Sequence, residues 1–66
     1  MPVKDVGQRI ARLREQRGIT QEALADKAGI HRVSLANIER GAKQPTLDSL
    51  ERLAKALRVS LLDLLK

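Results

Sequence analysis

The chain has no cysteine and only one histidine, His31, among its 66 residues. The missing cysteines exclude disulfides, thiolate zinc sites and a thiol nucleophile. The lone histidine has no partner for a multi-histidine metal site. Phe, Tyr and Trp are absent as well, which removes the aromatic platforms on which single strands and RNA loops stack their bases. No strictly apolar run exceeds two or three residues, so no segment reads as a membrane span. The start, Met1-Pro2-Val3-Lys4-Asp5, lacks the apolar stretch of a signal peptide. Catalysis needs an acid–base or nucleophile–base pair converging in a water-excluding pocket. One histidine and scattered carboxylates do not supply it, so the expectation is a chain that is not an enzyme and uses no cofactor, metal or small-molecule ligand.

What is present suits one soluble, cytoplasmic domain over residues 1–66: 42% of the residues are hydrophobic and 32% charged. A chain of this length buries only about 60% of its unfolded surface, so the core is small. The formal net charge is +5, and a basic small domain points to a polyanionic partner, most often nucleic acid. The excess is uneven: nine Lys and Arg stand against five Asp and Glu in residues 1–43, and four against three in residues 44–66.

The apolar spacing is helical throughout, which predicts an all-α fold of five short helices. Val6, Ile10 and Leu13 share one face of a first helix from about Val3 or Lys4 to Arg17, with Gly18 suited to a left-handed cap. Thr20 is placed to cap a second helix from Gln21 to about Lys27, with Leu24, Ala25 and Ala28 inward and Gly29 closing it. A third helix starts near His31 or Arg32, stops at Arg40 and is followed by Gly41. After the loop Ala42-Lys43-Gln44-Pro45, Thr46 caps a fourth helix whose stripe is Leu47, Leu50, Leu53, Ala54 and Leu57. Ser60 with Asp63 has the spacing of a capping box and opens a short fifth helix over residues 61–66.

Residues 20–40 carry the functional signal: two short helices joined by a tight glycine turn make a helix-turn-helix. The pattern runs Thr20-Gln21-Glu22-Ala23-Leu24-Ala25, then Ala28-Gly29-Ile30, then Leu35, Ile38 and Glu39-Arg40-Gly41. Ala25 is small enough for the helices to cross closely, and Gly29 permits a positive φ. With Leu35 and Ile38 inward, Val33, Ala36, Asn37 and Arg40 point outward and Arg32 stands at the N-terminal shoulder. A guanidinium fork, an apolar patch, an amide and a second cation are a chemistry set for reading a major groove. An ordinary exposed polar face is the plainer alternative.

These residues, with Ile38-Glu39-Arg40-Gly41-Ala42-Lys43-Gln44-Pro45-Thr46-Leu47 and Leu53-Ala54-Lys55-Ala56-Leu57, resemble the Cro/Xre-type helix-turn-helix family from about Val6 to Leu65. That family includes lambdoid phage repressors and the controller proteins of restriction–modification systems, and this sequence is most similar to the controller branch. The resemblance implies a compact five-helix, lambda-repressor-like domain that binds double-stranded DNA, with residues 31–40 as recognition helix. It implies base contacts from Arg32, Val33, Ser34 and Asn37: Arg32 to a guanine edge, Val33 to a thymine methyl, Ser34 to a base edge or phosphate, and Asn37 to adenine or the backbone. It implies phosphate contacts from Gln21, Arg40, Lys43 and Gln44. Arg14 and Glu39 stand where the family often has an interhelical ion pair, the alternative being two separate solvated charges. His31 departs from the usual Ser, Thr or Asp N-cap, and either faces DNA or is a tolerated surface residue.

Leu61, Leu62, Leu64 and Leu65 crowd one short segment. Leu61 and Leu64 suit the domain's own core, whereas Leu62 and Leu65, three apart, share a side. Leu62 and Leu65, joined by Leu61 beside them, make a candidate interface, within a segment of about residues 58–66, for a two-fold homodimer. In the alternative, all four leucines complete the intramolecular core. Two copies would read a palindromic operator with half-sites roughly 34 Å apart, about 12–20 base pairs in all. The leading reading is a bacterial or phage-encoded, nucleoid-associated transcriptional regulator that blocks or recruits RNA polymerase. The competing reading is a protein-interaction module, an antitoxin or bridging factor, against which the absence of a long disordered tail counts.

Overall fold

The computed structural model describes residues 4–65, in five helices: α1 Lys4–Gln16, α2 Gln21–Ala28, α3 Arg32–Glu39, α4 Leu47–Leu57 and α5 Leu61–Leu65. No strand occurs among the described residues. The ends fall within a residue or two of the sequence expectation. The expected start of the first helix at residue 3, and the expected end of the fifth helix and of the 58–66 segment at residue 66, lie outside the described residues.

Local chemistry sets the boundaries. Thr20 and Thr46 both hold extended backbone and accept from the amides of Ala23 and Ser49 at 3.0 Å, satisfying a free donor of the first turn. At the end of α2, Gly29 adopts φ 73° and the Ile30 amide returns to Ala25 O at 3.0 Å, a Schellman closure that needs a left-handed residue. The same closure ends α4, where Val59 N donates to Ala54 O at 3.0 Å, but the left-handed position is Arg58, φ 59°. The Ser60/Asp63 box is reciprocal: Ser60 N donates to Asp63 Oδ2 at 3.0 Å and Asp63 N to Ser60 Oγ at 3.2 Å.

One aliphatic cluster joins all five helices: Val6, Ile10 and Leu13; Leu24, Ala25 and Ala28; Leu35 and Ile38; Leu50, Leu53, Ala54 and Leu57; and Leu64. Among the described residues, no polar or charged residue belongs to this buried cluster. Leu47 departs from the predicted stripe, being 62% exposed. It lies in the first turn of α4, about 70° from the stripe's centre at 100° per residue, so burial begins at Leu50. Gly7, to which the sequence reading gave no role, lets α1 approach the backbone of α3 closely. A Cβ placed there would stand 1.9 Å from Ile38 O.

Candidate nucleic-acid interface

The cluster clamps α3 from beneath by Leu35 and Ile38, 0% and 3% exposed. That leaves the opposite surface of α3 outward. Arg32, Val33 and Arg40 are exposed, while Ser34, Ala36 and Asn37 are half-buried. Val33 is 69% exposed, an isolated apolar side chain on a polar face. The sequence-predicted set Arg32, Val33, Ser34 and Asn37 thus occupies the first two turns of one helix. His31 holds the N-cap backbone geometry without a side-chain cap bond.

The α2–α3 turn is fixed by Gly29 and covered by α4. A Cβ at Gly29 would meet the Arg52 guanidinium at 3.1 Å, and Arg52 is itself held by Asp48, Nε to Oδ2, at 2.8 Å. At the other end of α3, the Asn37 carbonyl accepts from the amides of Ala42 at 2.9 Å and Lys43 at 3.2 Å. The Arg40 guanidinium donates to Asn37 Oδ1. The loop carrying Lys43 and Gln44, both exposed, is therefore tied by its backbone to the helix that precedes it.

Arg14 and Glu39 are bridged in bidentate geometry: Arg14 Nε to Glu39 Oε2 at 2.8 Å and Arg14 Nη2 to Glu39 Oε1 at 3.1 Å. Their side chains are 14% and 6% exposed. Glu39's hydrogen bonds hold the Arg14 guanidinium above its ordinary range, against the opposing effect of its burial. The sequence did not reveal two further members of this network. Arg14 Nη1 donates to Ile19 O at 2.9 Å, and Gln21 Nε2 donates to Glu39 Oε1 at 2.9 Å. Gln21, predicted at a phosphate, thus has an amide hydrogen committed within the fold. Its second amide hydrogen and its place at the first turn of α2 remain. Glu39 is enclosed by these donors, so its charge is neutralised behind the basic face. Arg14, Thr20, Gln21, Glu22 and Arg32 line a shallow open cleft beside that network.

Leu61 is partly buried against the core. Leu62 and Leu65 are 70% and 38% exposed, whereas Leu64 is 0%. The apolar excess of α5 is therefore divided between the interior and a small surface patch. Among the described residues no cluster of three or more His, Cys, Asp or Glu could hold a metal ion, and no helix is long and apolar enough to cross a membrane.

Residues 10–64 match a helix-turn-helix family model. The chain is 43% identical over 61 residues to an uncharacterised transcriptional regulator of this type, y4dJ of Sinorhizobium fredii, covering 92% of this chain and 79% of that protein. The restriction–modification controller protein C.AhdI of Aeromonas hydrophila superposes with a TM-score of 0.89 at 37% identity, covering 94% of this chain and 92% of that one. SinR, a master regulator of biofilm formation solved in complex with DNA, superposes with a TM-score of 0.88 at 37% identity, covering 92% of this chain and 98% of that one.

Proposed function

The chain belongs to the Cro/Xre-type helix-turn-helix family, and from that premise we propose that it is a sequence-specific, double-stranded DNA-binding transcriptional regulator acting as a homodimer on a palindromic operator. The observation that carries the proposal is the exposed face of α3, held rigid by Leu35 and Ile38 and offering Arg32, Val33, Ser34 and Asn37 together. α3 enters the major groove. There Arg32 forks onto guanine O6 and N7, Val33 meets a thymine methyl, and Ser34 and Asn37 reach base or backbone atoms. Arg40, Lys43 and Gln44 follow the phosphate strand beyond the helix, and Gln21 meets a phosphate at the N-terminus of α2. Arg14 and Glu39 hold α1 to α3 and make no DNA contact.

One module offers few contacts, which favours two copies reading half-sites roughly 34 Å apart. Leu62 and Leu65, with Leu61 at their edge, supply the apolar patch for a two-fold contact. A cytoplasmic regulator on a promoter then excludes or engages RNA polymerase. Selection from a randomised duplex pool at near-physiological salt tests the proposal. Enrichment of a two-fold symmetric motif is the expected result. Binding without enrichment would overturn sequence reading, and no binding would favour a protein-interaction module such as an antitoxin or bridging factor.

A further inference from the structure

The helix bearing the Leu62/Leu65 patch is five residues long, too short to hold its own conformation in water. Three ties hold it. Leu64 is fully buried, and the Ser60/Asp63 box closes its first turn. The third tie comes from the far end of the chain: Arg9 Nε donates to Asp63 O at 2.9 Å, a part-buried contact across 54 positions. The last carbonyls of a helix lack intrahelical donors, and a guanidinium there supplies both a donor and a favourable charge. Arg9 lies on α1 two residues after Gly7, which interlocks with Ile38 of α3. It lies five before Arg14, which grips Glu39 at the end of α3. One rigid helix therefore connects the recognition helix to the carbonyl between Leu62 and Leu64.

We propose that Arg9 is a positioning residue for self-association: through Asp63 O it sets the angle of α5 against α1, and so the spacing of the two recognition helices in the dimer. The inference rests on the homodimer reading above. Without the Arg9 bond, α5 loses its hydrogen-bonded tie to α1 and rests on its core contacts, Leu64 and the edge of Leu61, and on its capping box. Leu62 and Leu65 then no longer meet their copies in a fixed register.

The test uses the full chain with Arg9→Met, which keeps an unbranched apolar stem and deletes the donor, and with Arg9→Lys, which restores a donor. Sedimentation equilibrium gives the dimer constant. Arg9→Met is expected to weaken it about tenfold, the scale of one lost charge-assisted hydrogen bond, and Arg9→Lys to recover part of that loss. Binding to the selected symmetric duplex, and to the same duplex with one base pair inserted between half-sites, reads the spacing. Wild type is expected to discriminate sharply and Arg9→Met weakly. A purely structural role would lower thermal stability equally in wild type and in a Leu62→Glu/Leu65→Glu monomer, with the dimer constant and spacing preference unmoved, and that result overturns the inference. If Arg9→Met melts below the working temperature, the comparison is made in the Arg58→Gly background, which relieves the φ of 59°. A monomeric wild type overturns the homodimer reading together with this inference. A dimeric wild type matched by its Arg9→Met variant overturns this inference alone.

Discussion

Gly7 of α1 and Ile38 of α3 approach so closely that a methyl group at Gly7 would stand 1.9 Å from the Ile38 carbonyl oxygen and 3.0 Å from its carbon. Backbone, not a flexible side-chain tip, occupies the space. Gly7→Ala therefore forces the two helices apart along the contact that seats the recognition helix. Two effects oppose one another. Alanine gains about 1 kcal/mol in helix propensity, while overpacking against fixed backbone costs about 1–3 kcal/mol and sometimes more. The clash distance is far inside contact range, so overpacking wins. The expected outcome is a net loss of about 1–2 kcal/mol in urea unfolding. A gain in stability would mean that α1 and α3 are not interlocked there.

The Arg14–Glu39 pair is shielded, with side chains 14% and 6% exposed. Breaking such a pair from one side strands a desolvated charge, at about 3–5 kcal/mol, whereas replacing both partners by apolar residues is often close to neutral. Arg14→Met and Glu39→Met should each destabilise by about 3 kcal/mol, and the double variant by much less than the two together. Gln21 loses its acceptor when Glu39 is replaced, and Ile19 O loses its donor when Arg14 is replaced, so the two single losses should be similar. Additive losses in chemical denaturation would show the charges to be independently solvated.

Arg58 sits in the left-handed region at φ 59°, where an L side chain costs about 1–2 kcal/mol. Glycine avoids that cost but adds freedom to the unfolded chain, an opposing effect of about 0.4–1 kcal/mol. Arg58→Gly is expected to stabilise by about 0.5–1 kcal/mol, raising the melting temperature by about 4 °C in a domain of this size. A fall in melting temperature would show that the Arg58 side chain contributes more than its backbone costs.

These three sites also mark what the sequence made legible. Apolar periodicity located the core residues Ile10, Leu24, Leu35 and Leu57, because a buried stripe imposes its period on the residues that form it. The threonine caps and the Ser60/Asp63 box were legible because their chemistry acts within four residues. Gly7 and Arg58 were not. Whether a glycine inside a helix fills a contact depends on another helix, and nothing in the residue type at 58 announces a positive φ. The Gln21–Glu39 bond, 18 positions apart, and the Arg9–Asp63 bond were hidden for the same reason. Leu47 shows the converse limit, since periodicity places a residue on a face but not at a depth. At the candidate interface, the outward residues of α3 followed from helical geometry once Leu35 and Ile38 were set inward.

Base reading and phosphate binding separate by their dependence on sequence and salt. Arg32 stands exposed at the first turn of α3, and Lys43 stands exposed on the loop beyond it. A guanidinium forked onto guanine discriminates among base pairs, so Arg32→Ala should cost about 1–3 kcal/mol on the selected site and relax preference at one base pair. A lysine beside a phosphate releases about one counterion wherever it binds. Lys43→Ala should therefore weaken every duplex alike and reduce the slope of log affinity against log salt by about one. Titrations of both variants on the selected and a scrambled duplex, at several salt concentrations, check both outcomes. Equal loss on the two duplexes for Arg32→Ala would remove Arg32 from base reading. An unchanged slope for Lys43→Ala would remove Lys43 from the phosphate contacts. The two variants must fail differently if α3 reads the groove while the following loop follows the strand.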